Sequence, residues 1–453
     1  MSMPTRGLRV LGIESSCDDT AAAVVDDERR VLSDCVRSQR RLMNRFGGVV
    51  PSISQRLHRA NIQPVIDDAL RAAGHLTVDD VDAIAVTTRP GIILSQGVGV
   101  EAALALCRRY RKPLIKVHHM RAHALTINLL RSDVQLPFLC LLASGGHCIL
   151  ALVRDVDEFW LLGEATDGAP GEALDKVARR LKLHHLNAEF EGMSGGEAIE
   201  RMACKGDPLA LQFRFWVRRS CRFSFSGAKT HCFRLIGAAE AEQEKRGGQL
   251  LENVADMCAS FQHAIFQHIA GALRRAIEIA DYKESWMPSL EQQQLAGVPL
   301  RTLVISGGVA ANDYLRGGIT WLANSYGYRT LYPPAKWCAD NGAMIAWTGL
   351  QLYRKYVLDR QQQQTCPDIL MPDELPNEEL GIWVSKKEPI GTDMQDEVDG
   401  MRWKGKEPST LDPYARDAKA RWNSAASADT NSSGLETQSI GDNECEQIKE
   451  NIA

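Results

Sequence analysis

Two histidines four residues apart, His119 and His123, follow a short apolar run from Pro113 to Val117 and enter a segment of helical character. Residues at i and i+4 share one helix face, so the two imidazoles point the same way. Far downstream, Asp340 opens a second helix in the run Asp340-Asn341-Gly342-Ala343-Met344. Two imidazoles and a carboxylate form a three-donor set for a divalent metal that leaves positions open, the pattern of a catalytic rather than a structural site. Taken alone, the pair reads more readily as ordinary surface histidines; the rest of the chain shifts that balance.

Small-residue turns supply a second kind of chemistry. Leu142-Ala143-Ser144-Gly145-Gly146-His147 and Ser306-Gly307-Gly308-Val309-Ala310-Ala311-Asn312 both follow apolar strands. Paired glycines let backbone N–H groups approach an anion, and the second turn leads into a helix from Ala310 whose positive end favours phosphate. Most Gly-Gly turns merely reverse the chain, but two such turns in separate lobes point to a nucleotide in the cleft between them. The turn from Ser15 to Thr20 carries Asp18 and Asp19, which can orient a metal-bound phosphate or a water, or simply face solvent. Asp175, in the amphipathic run from Gly171 to Arg180, and Glu200, beyond the Ser194-Gly195-Gly196 turn, are candidate partners for ribose hydroxyls.

The elements that must hold these groups alternate along the chain. Leu8 to Ile13, Ala21 to Val25 and Arg30 to Val36 read as strands, and Ser54 to Ala73 has helical period. The strand Ala83 to Thr87, a helix from Ser95 to Arg109, the strand to Val117 and the histidine helix complete a layered α/β lobe, residues 8–135. A second lobe, 136–358, opens in the same way with Phe138 to Ala143 and Cys148 to Val153, and holds a helical insertion at about 189–280. From 401 to 453 only five Leu and Ile residues occur, far too few for a core, so that tail reads as disordered. The net charge of −4 argues against a generally basic nucleic-acid coat, and no run of eighteen apolar residues offers a membrane span. Twelve cysteines contain no C-x-x-C pair, which fits buried reduced thiols.

Seven motifs stand in a fixed order. They are Gly12-Ile13-Glu14-Ser15-Ser16-Cys17-Asp18-Asp19-Thr20, Gly47-Gly48-Val49-Val50-Pro51, Val117-His118-His119-Met120-Arg121-Ala122-His123-Ala124 and Ser144-Gly145-Gly146-His147. After them come Phe223-Ser224-Phe225-Ser226-Gly227, Ser306 to Asn312 and Asp340-Asn341-Gly342-Ala343-Met344-Ile345-Ala346. With these, from about Leu8 to Tyr353, the chain resembles the tRNA N6-adenosine threonylcarbamoyltransferases, once labelled O-sialoglycoprotein endopeptidases. Its details look most like their mitochondrial, stand-alone branch.

The resemblance implies a two-lobed actin-like, sugar-kinase-like (ASKHA) fold with duplicated lobes. It implies transfer of threonylcarbamoyl from threonylcarbamoyl-AMP, supplied by a separate synthase, to the N6 amine of the adenosine 3′ of the anticodon in tRNAs reading ANN codons. By motif, His119, His123 and Asp340 hold one divalent metal ion, iron or zinc-like. Leu142, Ala143, Ser144, Gly145, Gly146, Asp175, Gly196, Glu200, Ala311 and Asn312 line the adenylate site. Asp18 and Asp19 are candidate acceptors of the amine proton. A homodimer, a mitochondrial location and no membrane anchor are expected on the same basis; the amino end, with Arg6 and Arg9, is short for a presequence.

Two departures stand out. Arg121 replaces a Glu usual in the family and, two residues past His119, should face away from the metal. Gly168 replaces an Asp usual beside Asp167, which puts in doubt any role for that carboxylate. The stretch from Arg214 to Phe223 interleaves cations with aromatics, so Arg218, Arg219 and Arg222 are candidate tRNA contacts or a solvated face. Three rival readings remain: a metallopeptidase, which lacks H-E-x-x-H; a small-molecule kinase of the same fold; and a catalytically silent nucleotide-binding scaffold.

Overall fold

The structure, a computed structural model, describes residues 7–46, 48–186, 188–190, 192–213, 220–245, 253–283, 286–287, 301–358, 366–376, 384–401 and 414. The chain divides into two units, 1–406 and 407–453, and of the second only residue 414 is described. The expected disordered tail at 401–453 therefore lies almost wholly outside the described residues.

Strands β1 (Arg9–Glu14), β2 (Asp19–Asp26) and β3 (Val31–Ser38) form an antiparallel meander. Strands β4 (Ala83–Arg89) and β5 (Leu114–His118) extend it in parallel beside β1. Strands β6 (Phe138–Ala143), β7 (Cys148–Val153) and β8 (Phe159–Glu164) repeat the meander, and β9 (Thr302–Ser306) and β10 (Arg329–Leu331) repeat the parallel extension. The order 5-4-1-2-3 thus recurs as 10-9-6-7-8. This identity of topology is the duplication expected of an actin-like, sugar-kinase-like fold.

The helices around these sheets include α1 (Arg40–Arg45), α2 (Pro51–Ala72), α3 (Ile93–Tyr110), α4 (His119–Leu130) and α5 (Pro170–Arg180), then α6 (Gly195–Ala203), α7 (Ser226–Lys245), α8 (Val254–Tyr282), α9 (Asp313–Ser325) and α10 (Gly342–Tyr353). All eight residues of β2 are buried because both faces of the first sheet are covered. Alternate side chains divide between two cores. Leu11, Ile13, Ala22 and Val24 join α2 and α3 on one side, whereas Val10, Ala23 and Val25 join α4 and α10 on the other. Phe138, Cys140, Leu142 and Val304 of the second sheet enter that same inner core. Helices α4 and α10 therefore lie between the two sheets.

Two segments cross the lobe boundaries expected from the sequence. Helix α10, inside the expected 136–358, packs on β1, β2 and β4 of the first sheet. Beyond 358, strand β11 (Ile369–Leu370) pairs with β5, and strand β12 (Thr392–Asp393) pairs with β8. Each of these two-residue strands is too short to give a periodic signal. Within the expected helical insertion, α8 has most of its length buried and is a packing layer rather than an appendage.

Candidate active site

Strand β5 runs directly into α4, so His119 stands on the first turn and His123 one turn later. Their rings meet edge to face, centroids 4.7 Å apart. Asp340 reaches them because α10 is pressed onto β1 and β2. A Cβ on Gly342 would lie 2.6 Å from the backbone of Ala22 and Ala23, and one on Gly12 would lie 2.3 Å from the Ala346 nitrogen. Only glycine at both positions permits this approach. Asn341 caps α10 by accepting from the Met344 N–H at 2.9 Å, which fixes the chain direction at Asp340.

Asp340 Oδ1 lies 3.1 Å from His123 Nε2 and 3.5 Å from His119 Nε2. Metal bonds of about 2.1 Å separate donors by about 3.0 Å at a right angle and about 3.4 Å at the tetrahedral angle. Asp340 therefore stands at ligand spacing from each imidazole, with all three donor atoms within 4.8 Å of one another, and the residues fit a first-row divalent ion. Behind them is Glu14, a fully buried carboxylate to which the sequence reading gave no role. Its Oε2 accepts from His119 Nδ1 at 3.1 Å and from Thr87 Oγ1, and its Oε1 accepts from Ser16 N–H. That bond turns His119 Nε2 toward Asp340, the outer-shell arrangement of metal-binding histidines. The legible signal is an acid closing the apolar run Val10 to Ile13. His123 Nδ1 is buried with no partner among the described residues.

The field of this cluster favours a cation. Burial opposes a charged His119, yet Asp340 and Glu14 outweigh it and lift the imidazole to about 9. Burial likewise works against an ionised Asp340, but the two histidines hold it below the usual carboxylate range. His147 is pushed down to about 4 by burial and then by the nearby charges of His119 and His123, which places the Ser144–His147 turn beside the cluster.

The expected adenylate residues gather in the second lobe. Gly307, at φ +99°, packs against Ala143, where a Cβ would lie 2.4 Å from the carbonyl oxygen. The two glycine turns, expected in separate lobes, thus follow neighbouring strands of one sheet, β6 and β9, and are in contact. Gly171 N–H donates to Ser144 O at 3.2 Å, joining α5 to the first turn. Asp175 Oδ1 accepts from Gly196 N–H at 3.0 Å, joining α5 to α6. Glu200 accepts from the Asp313 N–H at 2.6 Å, and burial raises its carboxyl to about 7. Leu142 and Ala143 are buried strand residues, so only their backbone can face a ligand, whereas Gly145, Gly146 and Ala311 are exposed.

One expectation is corrected here. The helix predicted from Ala310 begins at Asp313, after a 3-10 turn at Gly308–Ala311. Its first amides are already engaged: Glu200 takes Asp313 N–H, and the Asn312 side chain takes Leu315 N–H while donating to Gln262 at 2.9 Å. The anion-binding capacity therefore falls to the turns themselves rather than to that helix end.

Asp19 opens β2 beside the cluster. It is buried, its Oδ1 lacks a partner among the described residues, and burial followed by the charge of Asp18 raises it to about 6. Asp18 is half-buried on the preceding turn. Asp167, without the second acid lost at Gly168, holds the Phe223–Ser226 turn by accepting from Ser224 Oγ at 2.6 Å and Phe225 N–H at 2.9 Å. Arg121 does face away from the cluster. Its Nε donates to Ile390 O at 2.6 Å and its guanidinium lies over Phe159 at 5.3 Å. Of the expected tRNA contacts, Arg218 and Arg219 lie outside the described residues, and Arg222 is paired with Asp396 at 2.5 Å and Asp399 at 3.4 Å. All eleven described cysteines are free. Among the described residues no helix is long and apolar enough to cross a membrane.

Residues 30–347 match the TsaD family, tRNA N6-adenosine threonylcarbamoyltransferase. A Danio rerio protein named tRNA N6-adenosine threonylcarbamoyltransferase, mitochondrial, is 42% identical over 352 residues, 77% of this chain and 84% of the relative. The Homo sapiens protein of the same name is 44% identical over 351 residues, 76% of this chain and 81% of the relative. An Anaplasma marginale (strain St. Maries) tRNA N6-adenosine threonylcarbamoyltransferase is 39% identical over 366 residues, 79% of this chain and 98% of the relative. With motifs, duplicated fold and donor cluster in agreement, the chain belongs to the tRNA N6-adenosine threonylcarbamoyltransferase family.

Proposed function

We propose that this chain transfers the threonylcarbamoyl group of threonylcarbamoyl-AMP to the N6 amine of the adenosine 3′ of the anticodon in tRNAs reading ANN codons. The observation that carries the reading is the convergence of His119, His123 and Asp340 within 4.8 Å of one another beside two touching glycine turns. A divalent ion in that donor set, iron or zinc-like, supplies Lewis-acid polarisation of the group under attack. The Ser144–Gly146 and Gly307–Gly308 turns receive the adenylate phosphate, where backbone N–H groups offset the charge of departing AMP. Asp175 and Glu200, with the backbone of Leu142, Ala143, Gly196 and Ala311 and the side chain of Asn312, line the nucleoside side of that pocket.

In the reaction the adenine nitrogen forms a bond to the carbamoyl carbon as that carbon's bond to the phosphate oxygen breaks, and AMP leaves with the electron pair. The amine proton passes to a nearby base. Asp19, raised to about 6 and holding an unpartnered buried oxygen, is better placed for this than Asp18. No step needs a cysteine nucleophile, in keeping with thiols such as Cys140 and Cys258, whose burial pushes them well above their ordinary range. The mitochondrial naming of the relatives supports a mitochondrial location. Partners are tRNA, a synthase that supplies the adenylate, and a second copy of the chain in a homodimer.

The test is reconstitution with threonine, bicarbonate, ATP, a threonylcarbamoyl-AMP synthase and tRNA, followed by nucleoside analysis. Modified adenosine with wild type, and none with His119→Ala, is the expected result. Wild-type protein that holds metal and yields no modified adenosine refutes the reading.

A further inference from the structure

From Cys35 to Ile66 the chain carries six arginines (Arg37, Arg40, Arg41, Arg45, Arg56 and Arg59) and no Asp, Glu or Lys, in a protein of net charge −4. Arg40, Arg41, Arg56 and Arg59 are exposed on α1 and α2. Arg37 is taken up by Asp68 at 2.8 Å, and Arg40 lies 3.6 Å from Asp19. Arg41, Arg56 and Arg59 have no ion-pair partner among the described residues. Phe46, 55% exposed, and Leu42, 38% exposed, stand among them.

The two helices that carry these arginines are packed onto the rim of the active site. Gln39 N–H, just before α1, donates to Asp18 O at 2.8 Å. From α2, Ser54 Oγ and the His58 ring bond the Cys17 carbonyl at 2.9 and 3.0 Å. The same Ser15–Asp19 turn brings Ser16 Oγ to 3.3 Å from His119 Nδ1. Exposed arginines with no acid among them, on helices that border the metal-site turn, call for a polyanion.

We propose that the exposed arginines of α1 and α2 are the docking face for the phosphate backbone of the tRNA loop that presents the reacting adenosine, with Phe46 available to stack on an unpaired base. The inference rests on the transferase reading and adds to it the surface that recognises the substrate. Guanidinium groups pair with phosphates, and a solvent-exposed aromatic among them matches single-stranded RNA, whose bases are free to stack. An acidic protein face is the other polyanion such a surface could take. The tRNA is favoured because it must bring its base to the very turn these helices border.

The experiment is tRNA binding by full-length, metal-loaded protein across a salt series, together with steady-state transfer. Arg41→Gln/Arg56→Gln/Arg59→Gln should weaken tRNA binding about tenfold or more near 0.1 M salt and reduce the slope of log affinity against log salt by about two to three. KM for tRNA should rise in step while kcat at saturating tRNA stays near wild type. Arg109→Gln is the control, because α3 runs about 24 Å from its site-side start to that residue at 1.5 Å per residue. Affinity and slope in the triple variant within twofold of wild type, or an equal loss in Arg109→Gln, overturn the proposal, and binding that survives in the triple variant leaves an acidic protein as the ligand. The transferase reading fails separately, when wild type binds tRNA and yields no modified adenosine.

Discussion

Replacing Glu14 with Gln preserves side-chain volume and removes one buried charge. Glu14 accepts from Ser16 N–H at 2.5 Å, from Thr87 Oγ1 at 2.5 Å and from His119 Nδ1 at 3.1 Å. Glutamine offers one acceptor oxygen and one donor nitrogen in place of two acceptor oxygens. The Ser16 amide proton cannot move, so the new oxygen must remain with it and the new NH2 must face Thr87 and His119. Thr87 can rotate its hydroxyl. In its neutral, metal-binding form His119 has to exchange its tautomer, accepting at Nδ1 and carrying its proton on Nε2, the atom that faces Asp340. That proton occupies the lone pair a metal requires. Loss of such an outer-shell partner lowers metal affinity about 10–100-fold, about 1.4–2.7 kcal/mol. Competition titrations of zinc and, without oxygen, of ferrous iron against a chromophoric chelator measure it, and nitrogen-15 spectra of the histidines report the tautomer. Near-ultraviolet circular dichroism establishes that the fold is kept. An unchanged His119 tautomer, with zinc held within about threefold of wild type, would refute this account of how Glu14 acts.

Three further outcomes follow from the structure. Gly342→Ala forces a methyl group to within 2.6 Å of the Ala22–Ala23 backbone, so urea denaturation should show a loss of about 1–3 kcal/mol or more, with weakened metal binding as Asp340 shifts. Glu200, raised from 4.5 to about 7 by burial, stays protonated in the folded state at pH values where the unfolded chain has already ionised it. Wild type should therefore lose stability as pH rises through that window, and Glu200→Gln should lose less; parallel Tm profiles from pH 5 to 8 would contradict this. Arg121→Glu restores the residue usual in the family but sets a carboxylate against the Ile390 carbonyl, so Tm should fall while zinc affinity stays within about twofold of wild type.

Much of the fold was legible because strands and helices leave local signals. The periodicity at Ser54 to Ala73 and the apolar runs at Leu8 to Ile13 and Phe138 to Ala143 correspond to α2, β1 and β6. The meander common to both lobes was visible in part, since β8 went unread. Its bounding turns carry no Gly-rich punctuation, and its pairing partners are set by β7 and by residues beyond 390. The start of α9 was misplaced by three residues because Val309, Ala310 and Ala311 are as compatible with a 3-10 turn as with a helix. What decides is the side-chain cap at Asn312.

At the site, the sequence by itself determined which residue types were on hand: two imidazoles on one helix face, an aspartate at a helix start, and glycines where backbone must approach an anion. The first follows from spacing, because helical geometry fixes neighbours three and four residues apart, and the others from residue type. Only the tertiary structure decided that Asp340 meets the histidines, that Glu14 orients one of them, and that Arg121 serves a strand-capping segment rather than the metal. Those pairings span 105 to 269 residues of chain. They depend on the close contact of Gly12 with α10 and on the return of that helix to the first sheet. No local pattern encodes such contacts, because packing between distant segments depends on the shapes of both surfaces at once.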